Sequence, residues 1–192
     1  MTALVRRLLK EERVEVQVAV RTGQGGSQSL SMFKDDFREW RKSFWEMPDA
    51  VLLCRDSDCR PRADVLKQFE KERRESEAKG CTLLFAVFEP EIERWYLLDE
   101  KAFEKACGFR LPGTPPSPEC RKRGGRRRKR FSYKKFIRKQ AAEKGLRLLH
   151  HGAEWADEIV QRTDFSLAAG RDPAFEEFLE EIRDWLGRLK QP

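Results

Sequence analysis

The sequence predicts an α/β fold, in which a mostly parallel sheet is flanked by helices and followed by a helical C-terminal part. Two dense apolar runs, 50–54 and 81–88, each follow a turn signal and are typical of strands buried on both faces. Apolar residues at helical spacing occur before, between and after them. We therefore expect an α/β core over 1–108, a Pro-rich and then Arg/Lys-rich linker or loop over 109–131, and helices over 132–192 that pack on the core.

The segments before the first run predict a helix, a strand and a second helix. Residues 2–12 carry Leu and Val at helical spacing, and 14–20 alternate valine with more polar residues, as a half-exposed strand does. The stretch 23–27 lacks the Gly-Lys-Ser/Thr ending of a P-loop and indicates a flexible connection. Over 31–46, aromatic residues share one helical face, which favours packing in the core.

The segments after the first run predict further helices. Residues 62–79 give a helix whose second half is nearly all charged, and Gly80 ends it. Apolar residues at 155–160 indicate another helix. A strongly amphipathic last helix starts at Pro173, with Asp172 as its N-cap.

Composition restricts the class of protein. Charged residues make up 38% of the chain, and no apolar run is long enough to cross a bilayer or resembles a signal peptide, so we expect a cytoplasmic protein with no membrane partner. Five cysteines without a repeating spacing favour reduced thiols, with Cys54 and Cys81 in the core. No Cys-x-x-Cys accompanies His150 and His151, so a zinc site has little support.

Positive charge is concentrated in one segment. Residues 121–139 contain twelve Lys and Arg and no acid, and removing these twelve charges from the net charge of +7 leaves −5. Such a segment beside aromatic residues favours nucleic acid as a partner, whereas a disordered basic loop without a ligand and an acidic partner protein are the alternatives. The candidate nucleic-acid-binding residues are Arg121, Lys122, Arg123, Arg126, Arg127, Arg128, Lys129, Arg130, Lys134 and Lys135.

Acidic side chains follow both predicted buried strands. Asp56 and Asp58 come after the first, and Glu91 and Glu93 come after the second. Ligands and chemistry gather at the carboxyl ends of strands in open α/β sheets, and paired carboxylates suit a hard cation such as Mg²⁺. The alternative is structural, with Asp-Ser-Asp as a solvated turn and the glutamates as favourable charges in a first helical turn.

Three segments give the chain a family resemblance. The run 50–58 with its Asp-x-Asp ending, the run 91–98 reading Glu-Ile-Glu-Arg-Trp-Tyr-Leu-Leu, and Asp172-Pro173-Ala174-Phe175 before the last helix resemble a small standalone bacterial Toprim-like (topoisomerase-primase) family. That family is related to the overcoming-lysogenization-defect nucleases. The resemblance implies a Rossmann-like sheet and a Mg²⁺- or Mn²⁺-dependent nuclease, often beside an AAA or ABC-type ATPase and frequently in phage defence.

The resemblance also implies roles for single residues. Asp56 and Asp58 are expected to bind metal and act in catalysis, with Glu93, and less directly Glu91, at a second metal. Lys134 or Lys135 is a candidate for stabilising charge on the reacting phosphate. One feature of the family is missing, because its first strand, which ends in a glutamate, precedes the helix that here spans 2–12. A misassigned start, an inactive module and a strand supplied by another polypeptide are the three explanations.

We therefore carry three hypotheses of function. The first is a metal-dependent nuclease acting on DNA or RNA, and the second is a catalytically inactive module that binds nucleic acid or protein. The third is a phosphohydrolase that uses the same acids on mononucleotides.

Overall fold

The structure is a computed structural model that describes residues 1–14, 34–35, 38–39, 48–113, 120–123, 126–129, 131–148 and 152–190, with the backbone alone over 121–123 and 126–129. The predicted strand over 14–20, the glycines at 23–27 and the histidine pair lie outside the described residues, apart from Val14. Of the predicted helix over 31–46, only four residues are described, and they are helical.

The described chain is α/β, as predicted, and it is mostly helical. The strands are β1 (Ala50–Asp56), β2 (Thr82–Phe88), β3 (Cys120–Arg123) and β4 (Arg126–Lys129). The helices are α1 (Thr2–Glu11), α2 (Arg62–Leu66), α3 (Glu70–Glu77), α4 (Glu100–Cys107), α5 (Tyr133–Glu143), α6 (Ala156–Arg162), α7 (Phe165–Ala169) and α8 (Pro173–Leu189). Short 3-10 helices span Lys67–Phe69, Ile92–Leu97 and Ala153–Trp155.

The two predicted apolar runs form neighbouring parallel strands. The register pairs Ala50 of β1 with Thr82 of β2 and continues to Asp56 opposite Phe88. Helices α2 and α3 make the crossover between them, as parallel pairing requires. Both strands therefore end at the same edge of the sheet, which is where the acids follow.

Helices cover both faces of this sheet. Leu84, Ala86 and Phe88 alternate onto one face, where they pack with buried residues of α1, α7 and α8. Leu83, Phe85 and Val87 lie on the other face and pack against the crossover segment. The prediction of a strand buried on both faces is confirmed for β2. It is wrong for β1, whose residues are half-buried apart from an exposed Cys54.

Helix α8 closes one face of the sheet. Asp172 caps it by accepting a hydrogen bond from the Phe175 N–H at 3.0 Å, and Pro173 occupies its first turn, as predicted. Its Glu181 reaches the outer edge of β2, where Oε2 accepts a hydrogen bond from the Phe85 N–H at 3.2 Å. The long apolar face of α8 therefore packs on the sheet, while a carboxylate covers part of its edge.

A second apolar cluster joins α4, α5 and α6 beside the sheet. Phe103, Tyr133, Ile137 and Ile159 are its largest fully buried side chains. Phe109, at the predicted start of the linker, is also buried there. The packed core therefore extends beyond residue 108, because the aromatic side chain that follows α4 returns to that helix instead of entering solvent.

The basic segment differs from the predicted linker or loop. Strands β3 and β4 pair as an antiparallel hairpin, with Arg121 opposite Arg128 and Arg123 opposite Arg126. In the sequence, Gly124-Gly125 separates them, and glycine pairs are favoured between hairpin strands. The basic segment therefore contains paired strands, although its charge had led us to expect a linker or loop.

The expectation of reduced thiols throughout is wrong. Cys59 and Cys120 form a disulfide with a Cα–Cα distance of 5.5 Å, although 61 positions separate them in sequence. Cys81 is a buried free thiol, as expected, but Cys54 is exposed. Cysteine spacing could not reveal the pair, because the fold brings distant segments together.

No helix in the described part of the chain combines the length and the apolar content needed to cross a membrane.

Candidate functional site

The candidate site lies where β1 and β2 end. Asp56 is the last residue of β1, and the next two N–H groups, of Ser57 and Asp58, donate to the carbonyl oxygens of Phe88 at 2.8 Å and Pro90 at 3.2 Å. Asp56 Oδ1 accepts a hydrogen bond from the Ile92 N–H at 2.9 Å. These bonds hold the segment after β1 against the start of the 3-10 helix that carries Glu93.

One lysine lies between the two acids. The Nζ of Lys134 is 3.5 Å from Asp56 Oδ2 and 3.7 Å from Glu93 Oε1. The Glu93 side chain is only 6% exposed, whereas Asp56 and Lys134 are 28% and 36% exposed. The Asp56–Glu93 pair, as we call these two carboxylates, is thus a partly enclosed site with an opening to solvent.

Helix α5 brings Lys134 to this position. Ser132 caps the helix by accepting a hydrogen bond from the Lys135 N–H at 3.3 Å. Glu91 is fully buried, and its Oε1 accepts hydrogen bonds from the Lys134 N–H at 3.2 Å and from Ser132 Oγ at 3.4 Å. A negative charge is favourable at a helix N-terminus. In these contacts Glu91 anchors α5 and so positions Lys134.

Burial controls the protonation of the site. It raises the pKa of Glu93 to about 7, although the nearby ammonium of Lys134 opposes this rise. Burial also raises the pKa of Asp56, against the hydrogen bond from Ile92 and the charge of Lys134. For Lys134, burial lowers the pKa, but attraction to Glu93 and Asp56 outweighs it and leaves the pKa raised. The lysine is therefore held protonated between two acids.

One oxygen of the site lacks a partner. Glu93 Oε2 is buried and has no hydrogen-bond partner among the described residues. An unpaired buried carboxylate oxygen is costly, and a bound cation relieves that cost. This oxygen is the clearest structural indication that the site accepts a further positive group.

The predicted metal residues are brought together only in part. Asp58 is exposed, its backbone is left-handed with φ of 49°, and among the described residues its carboxylate is not paired with Lys134. No group of three His, Cys, Asp or Glu side chains in the described residues is arranged to hold a metal ion. Two carboxylates are nevertheless a usual protein contribution to Mg²⁺, with phosphate and water oxygens as the other ligands. The oxygen donors of the Asp56–Glu93 pair fit that role.

The basic hairpin is attached to this site covalently. Cys59 directly follows Asp58, and Cys120 is the first residue of β3. Of the predicted nucleic-acid-binding residues, Lys134 faces the acids and Lys135 is exposed beside it. Arg130 and the hairpin side chains lie outside the described residues.

An adjacent arginine supports the site, and sequence reasoning missed it. Arg94, which follows Glu93, forms an ion pair with the fully buried Asp172. Its guanidinium also donates to the carbonyl oxygens of Glu89 at 3.1 Å and Arg171 at 3.3 Å. Asp172 was recognisable as an N-cap, but nothing in local spacing indicated that it pairs with Arg94.

Comparisons of the chain with models of protein families, with curated proteins and with solved structures find no match. The interpretation of the site therefore depends on its own geometry and chemistry.

Proposed function

We propose that this protein is a Toprim-like nuclease that hydrolyses phosphodiester bonds in DNA or RNA with Mg²⁺ or Mn²⁺. The observation that carries the proposal is the convergence of Asp56 and Glu93, from the ends of neighbouring parallel strands, on one position for a cation. Lys134 Nζ lies 3.5 Å and 3.7 Å from their oxygens. Carboxylates that meet at this end of a sheet are a typical place for phosphoryl chemistry.

The chain's own residues have distinct roles in this proposal. Asp56 and Glu93 hold the metal ion, which when bound supplies Lewis-acid polarisation of a phosphoryl oxygen. Lys134, whose Nζ lies beside the same two carboxylates, would neutralise charge that develops on the substrate phosphate. The exposed Asp58 lies on the solvent side, where it orients water or a second ion. Glu91 positions Lys134 through α5.

The basic hairpin supports nucleic acid as the substrate. Its register places Arg121 opposite Arg128, Lys122 opposite Arg127 and Arg123 opposite Arg126. Like charges directly opposite each other destabilise a strand pair, and a polyanion removes that repulsion. The hairpin therefore gains stability when it binds a phosphate backbone. The family resemblance alone supports an ATPase partner and a role in phage defence.

The test measures cleavage of labelled single-stranded DNA, double-stranded DNA and RNA in Mg²⁺. We expect the Asp56→Asn, Glu93→Gln double variant to lose on the order of 10²-fold or more in rate, because it removes the charge that holds the metal. The matched control is Asp64→Asn, which changes an exposed acid in the first turn of α2. Cleavage by the double variant at the wild-type rate, or cleavage that persists in a chelator, contradicts the proposal.

A catalytically inactive binding module is the second candidate. One observation favours it, because Lys134 already gives the Asp56–Glu93 pair a positive charge, as a structural ion pair does. This function predicts salt-sensitive binding of nucleic acid that disappears when Arg126, Arg127, Arg128, Lys129 and Arg130 are neutralised. It also predicts no turnover of any nucleic acid or mononucleotide with any divalent metal.

A further inference from the structure

The disulfide connects two regions that the proposed function uses separately. Cys59 follows Asp58 at the end of β1, and Cys120 begins the basic hairpin. Cys59 is only 4% exposed, whereas Cys120 is partly exposed. One end of the bond is therefore fixed in the core beside the acids, and the other end carries the cationic strands.

The loop at the fixed end has a special backbone. Asp58 and Cys59 are consecutive residues in the left-handed region, with φ of 49° and 66°. This region is uncommon for residues other than glycine, although aspartate enters it more readily than most. Surrounding interactions must hold the loop in place. The bond to Cys120 is one of them, and it acts one residue from the Asp58 carboxylate.

The hairpin has reason to depend on a covalent attachment. Three of its four residue pairs place cation opposite cation, so its own pairing contributes little stability. A tether that holds such an element beside a second binding group raises the effective concentration of one relative to the other. The chain itself links β4 to α5 through residues 130–132, and the disulfide adds a second attachment at β3, beside Asp58.

We propose that the Cys59–Cys120 disulfide is a thiol-sensitive latch that holds the basic hairpin beside the Asp56–Glu93 pair, so that both bind one phosphate backbone. Reduction frees the β3 end of the hairpin, which then stays attached to the site only through the chain between β4 and α5, and it weakens the binding of nucleic acid. The part of the proposal that concerns cleavage rests on the proposed function, whereas the part that concerns binding does not.

The chemistry is ordinary thiol–disulfide exchange with a dithiol as reductant. A thiolate of the dithiol attacks the more accessible Cys120 Sγ, which forms a mixed disulfide and releases the Cys59 thiolate. The second thiolate of the dithiol then attacks the dithiol sulfur that is bonded to Cys120, and Cys120 leaves as a thiolate. Two electrons pass from the dithiol to the protein, the dithiol becomes a disulfide, and each cysteine takes up a proton.

The experiment measures the affinity of the full chain for a fluorescent single-stranded oligonucleotide by anisotropy, before and after treatment with dithiothreitol. A Cys54→Ser background removes the exposed free thiol from exchange. We expect the oxidised protein to bind roughly tenfold more tightly than the reduced protein, because reduction removes one of the two attachments of the hairpin. In the same background, Cys59→Ser and Cys120→Ser variants should bind as the reduced protein does and should not respond to dithiothreitol.

Three further measurements make the outcome decisive. Mass spectrometry confirms the bond in each sample, and an equal Kd for the oxidised and reduced proteins overturns the latch. A fall in melting temperature on reduction with an unchanged Kd also overturns it, because the bond then serves stability alone. Cleavage is assayed in parallel. Redox-dependent binding without cleavage supports the latch and contradicts the nuclease, so that the two proposals fail separately.

Discussion

Asp172 and Glu93 are both buried acids, yet their surroundings differ. Arg94 follows Glu93 in the sequence, but it forms its ion pair with Asp172. Asp172 caps α8 and forms an ion pair with Arg94, which also donates hydrogen bonds to the carbonyl oxygens of Glu89 and Arg171. Each acid has one buried oxygen that forms no hydrogen bond in the described part of the chain, but Asp172 Oδ2 is in ion-pair contact with Arg94, whereas the Glu93 carboxylate has only the ammonium of Lys134, 3.7 Å from its other oxygen. Asp172 therefore has a structural role, whereas the fold leaves the Glu93 carboxylate incompletely paired.

Asp172 and Glu93 are both buried, so the difference in their pairing separates a structural carboxylate from a candidate functional one. A buried charge that is fully paired contributes little net stability, but removing its partner is strongly destabilising. A buried charge that is poorly paired costs stability and is maintained when a ligand completes it. Matched amide substitutions therefore separate the two acids.

Asp172→Asn should destabilise the protein by about 3 kcal/mol, because the half-buried Arg94 guanidinium is left without its counter-charge. Asparagine still caps the helix, so the loss reports the ion pair and not the cap. Urea unfolding measures it. A change below about 1 kcal/mol would show that Arg94 finds other partners and would remove the contrast with Glu93.

Glu93→Gln should change the free energy of unfolding by at most about 1 kcal/mol, because Lys134 keeps Asp56 as its partner. The same variant should lose the Mg²⁺-dependent cleavage that we propose, since the amide carries no charge for the ion. Urea unfolding and the cleavage assay are run on one preparation. Large destabilisation here would place Glu93 with Asp172 among the structural acids.

Lys134→Met should strengthen Mg²⁺ binding roughly tenfold, or about 1.4 kcal/mol, because it removes a cation that competes for the Asp56–Glu93 pair. Isothermal titration calorimetry measures the Kd, and Lys101→Met on the exposed side of α4 is the control. Weaker binding in the methionine variant would mean that Lys134 orders the site more than it competes. Absence of Mg²⁺ binding in both proteins would favour the inactive binding module.

Glu181→Gln should have the smallest effect, and it should depend on pH. Burial raises the pKa of Glu181 above its ordinary value, against the hydrogen bond from Phe85 and the charge of Arg73. A raised carboxyl pKa gives stability that is present below the unfolded pKa and is lost as pH rises through the folded value. The variant should therefore gain melting temperature relative to wild type as pH rises above the ordinary pKa of glutamate, and a difference that does not change with pH would contradict this.

Local patterns predicted the elements of the fold well. The apolar runs at 50–54 and 81–88 became neighbouring parallel strands, and the helix after Asp172 begins with the expected cap and proline. Periodicity and capping are properties of a few adjacent residues, so the sequence displays them directly. The half-exposed state of β1 was not predictable, because burial depends on what packs against a strand.

The sequence indicated where the candidate site lies, but it did not indicate which side chains contact each other there. Acids at the ends of successive strands indicated where Asp56 and Glu93 would meet. The position of Lys134 between them depends on how α5 docks through Glu91, which is a contact across 43 positions of sequence. The Cys59–Cys120 and Arg94–Asp172 pairs are also products of the fold, and no spacing rule indicates either.

The contact between Glu181 and β2 also bears on self-association. Phe85 presents a backbone N–H on the edge of β2 away from β1, and an unsatisfied edge invites the strand of another molecule. The Glu181 carboxylate accepts that hydrogen bond and places a charge where an incoming strand would pair. This side chain of the last helix therefore disfavours strand pairing at Phe85, and losing α8 would remove that contact together with the apolar face that the helix covers.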